Sequence, residues 1–272
     1  MIAAFGRMSL PVTLFLNEAR HMIARNKIVE FLNSYLDPDK TPDSSCNGLQ
    51  VQGQKKIKKI GLAVDASMLT YEMAVDEKCQ MLMVHHGLIW NGIRYVSGTV
   101  LRQLKYLMDN GVNLYASHLP LDKHPVVGNN IQLAHMLGLT DTRPDFSYRG
   151  VEIGCTGVFR KPLSIREIAD RLKSSLGGLP VLLPFGKKKN VTIGIVSGGG
   201  AGELPQAIDQ GIDCFITGEA EHQNHHQARD NEINVIFAGH YETETVGVKA
   251  VGRLLEKKFG VKTVFLDAPT LV

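Results

Sequence analysis

Four consecutive apolar residues, Met81-Leu82-Met83-Val84, run straight into His85-His86-Gly87. A short uninterrupted apolar run reads as a buried strand, and its length bounds what can surround it. The carboxyl end of that strand delivers two imidazoles, and neutral imidazole is the commonest protein ligand for transition metals. Neighbouring strand residues point to opposite faces, so both rings reach one place only if the chain turns there. Gly87 permits that turn. The stretch predicts a metal site that later segments complete.

The rest of the chain alternates in the same style. Helical spacing of Ile28, Val29, Phe31, Leu32, Tyr35 and Leu36 predicts a helix over 27–36, stopped by Asp37-Pro38 and Thr41-Pro42. A loop from Ser44 leads to a short strand ending near Gly53. Ile57 to Val64 reads as a strand, and Asp65 or Ser67 can cap the helix that follows, to about Cys79. After the Met81 strand come a helix over 99–110, a strand over 112–117 and a helix over 129–137, the helices closed by Gly111 and Gly138. Asp141 to Gly150 is polar, contains Pro144 and reads as a boundary. Beyond it lie a strand from Val151 to Phe159 and a helix over 164–176 with a Ser164/Glu167 capping box. Strands follow over 191–196, 214–217 and 235–238, with a helix through Leu204, Ala207 and Ile208 after the first. A last helix from about Thr245 to Phe259 and a closing strand over 261–266 complete the pattern. This rhythm predicts an α/β fold of two linked lobes, each a mixed sheet flanked by helices. The divisions are an N-terminal extension over 1–25, a first lobe over 26–145 and a second over 146–272, whose C-terminal part reaches the shared site.

Composition narrows the function. The 272 residues contain 44% hydrophobic and 21% charged side chains, ordinary for a soluble globular protein. A net charge of +3 gives no support to nucleic-acid binding, because Lys and Arg are scattered apart from Lys187-Lys188-Lys189, read as a solvated turn. Cys46, Cys79, Cys155 and Cys214 form no CxxC pair and read as reduced thiols of a cytoplasmic protein. No run approaches the roughly 18 apolar residues of a membrane helix. The first 25 residues make a weak targeting segment at most, given Glu18 and the lack of a small-residue cleavage site, and Met22 stands as an alternative start.

Three strand ends carry the chemistry: His85-His86, His118-Leu-Pro-Leu-Asp122, and Gly239-His240-Tyr-Glu-Thr-Glu244. In open α/β sheets ligands gather outside the carboxyl ends of the strands. Pro120 argues against a regular helix between His118 and Asp122, so that segment is expected to be a loop. His240 and Glu244 open a helix, where a four-residue step puts both on one face. The metal ligands are expected to be His85, His86, Asp122, His240 and Glu244, with His118 either a further ligand or a residue that orients one. Four histidines with two carboxylates exceed the needs of one tetrahedral zinc and suit two divalent ions with a bridging carboxylate, a hydrolytic arrangement. The set admits zinc, iron, manganese, cobalt or nickel.

Other motifs are weaker. His118 and Glu219 are candidate catalytic groups, Glu219 as general base or hydrogen-bond acceptor after a strand end. Gly198-Gly199-Gly200, between a strand and a helix, is either a phosphate-cradling loop or a tight turn without a ligand, and it is no Walker motif. His222, His225 and His226 lie on an expected helix with His222 and His226 on one face; a polar helix is favoured over an accessory metal site. His124 reads as a satisfied polar residue, as does His135, expected at the border of a buried helix face.

Gly48-Leu-Gln-Val-Gln-Gly53, His85-His86-Gly87, His118-x-x-x-Asp122, Ser197-Gly-Gly-Gly200, Thr217-Gly-Glu219 and Gly239-His240-x-x-x-Glu244, in this order, resemble the NIF three-like family, whose members are often labelled GTP cyclohydrolase I type 2 homologues. The resemblance spans residue 26 to the end. It implies two metal ions on His85, His86, Asp122, His240 and Glu244, with Glu244 bridging, His118 beside them and the site in a cleft between two α/β lobes. It also implies a ring-like homohexamer. The chain departs from the family pattern in reading His118-Leu-Pro-Leu-Asp122 where His-Thr-Asn-Leu-Asp is common. The function expected is a metal-dependent hydrolase acting on a nucleotide-like or other phosphorylated small molecule. The alternative is a non-enzymatic metal-stabilised scaffold, or a regulatory or nucleic-acid-binding ring.

Overall fold

The computed structural model describes residues 22–270. Of the expected N-terminal extension, residues 1–21 lie outside the described residues. A two-residue strand β1 (Ile23–Ala24) leads into α1 (Arg25–Leu36), which buries Ile28, Leu32 and Leu36 on one face as the helical spacing requires. β2 (Gly48–Val51) follows the loop. The run expected as one strand from Ile57 is split into β3 (Lys56–Ile57) and β4 (Lys59–Asp65). Gln80 Oε1 accepts from the N–H groups of both Lys58 and Lys59, at 2.9 and 3.0 Å, so neither is available to a ladder. Ser67, not Asp65, caps α2 (Met68–Asp76), through a reciprocal box with Thr70. β5 (Met81–His86), α3 (Gly98–Asp109) and β6 (Asn113–Ala116) complete the first βαβ rhythm.

The segment after His118 is a single helical turn, α4 (Leu119–Asp122), where a loop was expected. Pro120 sits in the first turn, where its missing N–H would have had no intrahelical partner, so it does not exclude the helix. α5 (Asn129–Leu137) is closed by Gly138 in the left-handed region. The expected boundary over Asp141–Gly150 is mostly strand: β7 (Thr140–Tyr148) forms a hairpin with β8 (Val151–Leu163). Its polarity and Pro144 reflect a mostly exposed edge strand, which tolerates both. α6 (Ile165–Leu176) carries the expected Ser164/Glu167 capping box. Then come β9 (Val181–Pro184), absent from the sequence reading, β10 (Asn190–Val196), a 3-10 turn at Gly200–Glu203, α7 (Leu204–Asp209), β11 (Cys214–Thr217), α8 (Asn224–Asp230) and β12 (Asn234–Phe237). The last helix, α9 (His240–Phe259), opens five residues earlier than expected, and β13 (Lys262–Phe265) ends the described strands.

The strands described form two mixed sheets and a small antiparallel pair of β1 with β3. The first has the order β13-β4-β5-β6-β2, with β2 antiparallel to β6 and the rest parallel. The second has the order β7-β8-β10-β11-β12-β9, with β10, β11 and β12 parallel and the others antiparallel. Helices cover both faces, so the central strands β4, β5, β6, β11 and β12 are buried along most of their length and read as continuous apolar runs. α9 serves both layers. Val246 packs in the core of the second sheet, while Val248, Val251 and Leu255 pack in that of the first, beside α1. It therefore carries the chain from the end of β12 back to β13 at the edge of the first sheet. No helix among the described residues is long and apolar enough to cross a membrane.

Leu255 is fully buried in this shared helix. Leu255→Ala should cost about 2–5 kcal/mol in urea unfolding, by lost transfer energy plus the cavity left. A loss well under about 1 kcal/mol would show that α9 does not lock the first core.

Candidate metal centre

Six parallel strands, three from each sheet, aim their carboxyl ends at one region. In the first sheet these are β4 ending at Asp65, β5 ending at His85 and His86, and β6 followed by His118. In the second they are β10 followed by Ser197, β11 by Glu219, and β12 by His240. The convergence follows from topology, since only parallel strands bring several carboxyl ends to one side.

Each histidine is held by its Nδ1. His85 donates to the Ser117 carbonyl at 3.0 Å, His86 to Asp65 at 2.8 Å and His118 to Asp43 at 2.9 Å. His240 Nδ1 lies 3.1 Å from Glu219 Oε2. With Nδ1 so engaged, each ring turns Nε2 away, in the arrangement that orients metal-binding histidines. Nε2 of His85, His86 and His240 approach the Glu244 carboxylate at 3.4, 3.4 and 3.3 Å, and His85 Nε2 lies 3.5 Å from Asp122 Oδ2. The His85 and His86 rings are 4.6 Å apart, so the two adjacent residues do reach one site.

The turn after them has a different cause from the one expected. Gly87 is not in the left-handed region; a Cβ there would fall 2.3 Å from the Gln50 amide and 2.7 Å from Ala116 Cβ. The space is needed by Gln50, whose Oε1 accepts from the N–H groups of Leu88 and Ile89 and fixes the turn.

Glu244 is 3% exposed and Asp122 7%, and His85 has no exposure at all. Burial alone would hold Glu244 in its neutral form, but the charge of His85 and its contacts with His240 and His85 bring its pKa well below the usual value. Burial would push His85 down; Asp122 and Glu244 outweigh it and carry it up to about 10. His240 is raised to about 9, first by its hydrogen bond to Glu244. Asp43, despite burial, is lowered to about 2 by His118 and Asn47. The site is thus a cluster of anions that demands positive charge.

A family model described as Duf34/NIF3 (NGG1p interacting factor 3) matches residues 23–270. The chain belongs to the NIF3 family. A relative from Pyrococcus horikoshii, described as a GTP cyclohydrolase 1 type 2 homolog, is 47% identical over 247 residues, covering 90% of this chain and 98% of the relative. One from Archaeoglobus fulgidus with the same description is 42% identical over 244 residues, with 90% and 98% covered. The crystal structure of a Thermus thermophilus protein superposes with a TM-score of 0.85 at 41% identity, covering 92% of this chain and 100% of that one.

In this NIF3 protein the donor set fits divalent metal. His85 Nε2 and Glu244 Oε2 are buried without any hydrogen-bond partner, a costly state that a cation would relieve. Among the described residues, three groups have ligand atoms within 4.8 Å of one another: His85, Asp122 and Glu244; His86, His240 and Glu244; and His85, His86 and His118. That spread is little more than twice a metal–ligand bond of roughly 2.1 Å. All five expected ligands are brought together, and His118 joins them. Glu219 is half exposed and supports His240.

The glycine segment serves the centre by close approach. Gly198 lies in the left-handed region, and a Cβ there would fall 1.9 Å from Glu244 Oε1. Its N–H donates to Thr243, so it has no hydrogen to offer a phosphate. Gly199 and Gly200 do line the adjacent cavity. Of the second histidine group, His222 precedes α8, and His225 packs edge-on against Phe185; no metal group includes them among the described residues. His124 is satisfied by Tyr35 and by the Val126 and Val127 N–H groups. His135 is exposed rather than bordering the core.

Sequence reasoning missed Asp43, Asp65, Ser197 and Asn129 as supports of the ligands. Only Asp65 left a readable signal: it ends the strand beside β5 and pairs in register with His86.

Gly198→Ala should abolish or greatly weaken metal binding, measured by elemental analysis of purified protein. Retention of wild-type metal content would mean that Glu244 has room to move. The metal-free chain should also respond to pH in a defined sense. The folded pKa of His240 lies above its usual 6.5, so its stabilising effect is complete below 6.5 and is lost as pH rises through about 9. A binding metal must displace the same proton, so zinc affinity should climb between roughly pH 6 and 9 with proton release, measurable by calorimetry in buffers of different ionisation heat. A flat profile would contradict it.

Proposed function

We propose that this NIF3 protein is a dinuclear metal-dependent hydrolase acting on a small molecule that combines a flat ring with a phosphoryl or similar anionic group. The observation that supports it most is the pair of unpartnered buried atoms, His85 Nε2 and Glu244 Oε2, the second on a residue that lines a cavity of about 250 Å³ with Asp122, His86 and His240. One ion would rest on His85, Asp122 and Glu244, the other on His86, His240 and Glu244, with Glu244 shared and His118 at the cavity wall. When bound, such ions supply Lewis acidity and lower the pKa of a coordinated water.

The chain's own residues do the rest. Asp43, Asp65 and Glu219 keep the rings of His118, His86 and His240 from rotating. Trp90 donates its indole N–H to the Gly87 carbonyl at 2.8 Å and packs beside His118, with the two rings 5.0 Å apart. Leu119, Tyr148, Ile153 and Val196 give the cavity an apolar wall suited to a ring, and Ser44 and Ser197 offer hydrogen bonds. No Lys or Arg is among the described lining residues, so an anionic group would rest on the metals rather than on those side chains. The name carried by the relatives, GTP cyclohydrolase 1 type 2 homolog, agrees with a purine-bearing substrate. Ring assembly and cytoplasmic location belong to the same proposal.

The test is turnover by metal-loaded protein across nucleotides, GTP included, and simple phosphoesters, with products separated by chromatography. Turnover should require metal and fall at least about a hundredfold in His85→Ala and Glu244→Gln. Fully loaded protein that turns over nothing, while both variants sustain the protein's role in cells, would favour the scaffold reading instead.

A further inference from the structure

Two adjacent asparagines at the start of α5 tie the metal-binding segments to each other from behind. Asn129 is fully buried and Asn130 is 1% exposed. Asn129 Nδ2 donates to Asp122 Oδ1 at 2.8 Å, and its Oδ1 accepts from the Gly247 N–H, inside α9, at 2.8 Å. A Cβ on Gly247 would fall 2.4 Å from that Oδ1, so a glycine is required for the contact. Asn130 Nδ2 donates to the carbonyls of Asp122 and Ile153 at 3.2 and 2.7 Å, and its Oδ1 accepts from the Ser197 N–H at 2.8 Å. Ser197 Oγ then donates to Asp122 Oδ1 at 2.9 Å.

These bonds divide the two oxygens of Asp122. Oδ1 takes two donors and is saturated. Oδ2, 3.5 Å from His85 Nε2, takes none from them and faces the ligand cluster. A carboxylate locked this way presents a single oxygen at a fixed angle, whereas a free one can rotate or chelate with both. Asn129 touches Asp122 directly but meets the helix of His240 and Glu244 only through the backbone one turn further on.

We propose that Asn129 is a positioning residue that selects the Asp122 oxygen offered to metal and so governs filling of the position formed by His85, Asp122 and Glu244 in preference to the one formed by His86, His240 and Glu244. The inference rests on the two-ion centre proposed above but not on hydrolysis. A buried amide that served the fold alone would have no reason to affect one position more than the other.

Two variants isolate the effect. Asn129→Asp keeps an acceptor for the Gly247 N–H, and with it the docking of α9, while turning an oxygen toward Asp122 Oδ1. Ser197→Ala removes the second donor without touching α9. Each is stripped with chelator, checked by calorimetric melting without metal, and titrated with manganese alone, stoichiometry being confirmed by elemental analysis. Wild-type protein should take two ions. Asn129→Asp should keep one at wild-type affinity and weaken the other at least about tenfold; Ser197→Ala should weaken that same ion by less, its metal-free melting point staying close to wild type while that of Asn129→Asp falls because a second carboxyl is buried beside Asp122. Two ions at wild-type affinity in both variants would overturn the proposal, as would equal weakening of both positions. If Asn129→Asp fails to fold, Ser197→Ala decides alone, and wild-type affinity there overturns it. Wild-type protein that takes fewer than two ions would instead overturn the two-ion reading, and this inference with it.

Discussion

A buried carboxylate organises this molecule. Glu244 is 3% exposed on the first turns of α9, and an ionised carboxylate so placed is very costly unless positive charge surrounds it. Neutralising it by protonation is not the route taken, since its neighbours hold its pKa well below the usual value. The chain instead brings three histidines to it, two from the end of one sheet and one from the end of the other. The parallel strands, the glycine at 198 and the helix that crosses between cores are what that convergence requires.

Closeness is obtained at the expense of side-chain volume. Gly198 admits the Glu244 oxygen, Gly87 admits the Gln50 amide, and Gly247 admits Asn129. Each glycine marks a place where a polar group of the site or its support meets the backbone, and only the first adopts a left-handed conformation. Read as a motif, Gly198-Gly199-Gly200 suggested a phosphate cradle. Its packing against Glu244 shows why glycine count alone misleads: the constraint comes from the side chain opposite, which lies 46 positions further along the chain (244 − 198).

The elements legible in the sequence were those with a strong local signal. β5, α5, α6 with its capping box, and β11 follow from apolar runs, periodicity and caps, and the convergence of the five expected ligands follows from their place at, or within a few residues of, the carboxyl ends of strands. Errors arose where tertiary context decides. Pro120 suits a first helical turn that only the pairing of β6 positions. β7 is polar because it lies mostly exposed at a sheet edge, so its residues read as a boundary and not as a strand. Asp43 and Asn129 reach their partners across 75 and 7 positions, and nothing in their own neighbourhoods distinguishes them from ordinary loop or capping residues.

The charges around the centre also limit what can occupy the cavity. Asp43, Asp65, Asp122, Glu219 and Glu244 bring five negative charges to the four histidines. Two divalent ions would bring four positive ones, leaving the loaded centre about one charge from neutral. Glu203 also lines the cavity, and burial raises its pKa against its hydrogen bond from Gln206. Field and lining then act in the same direction. With ions bound, an anionic group would be favoured only within ligand distance of them, while Tyr148 and Ile153 of the same lining would suit a neutral ring.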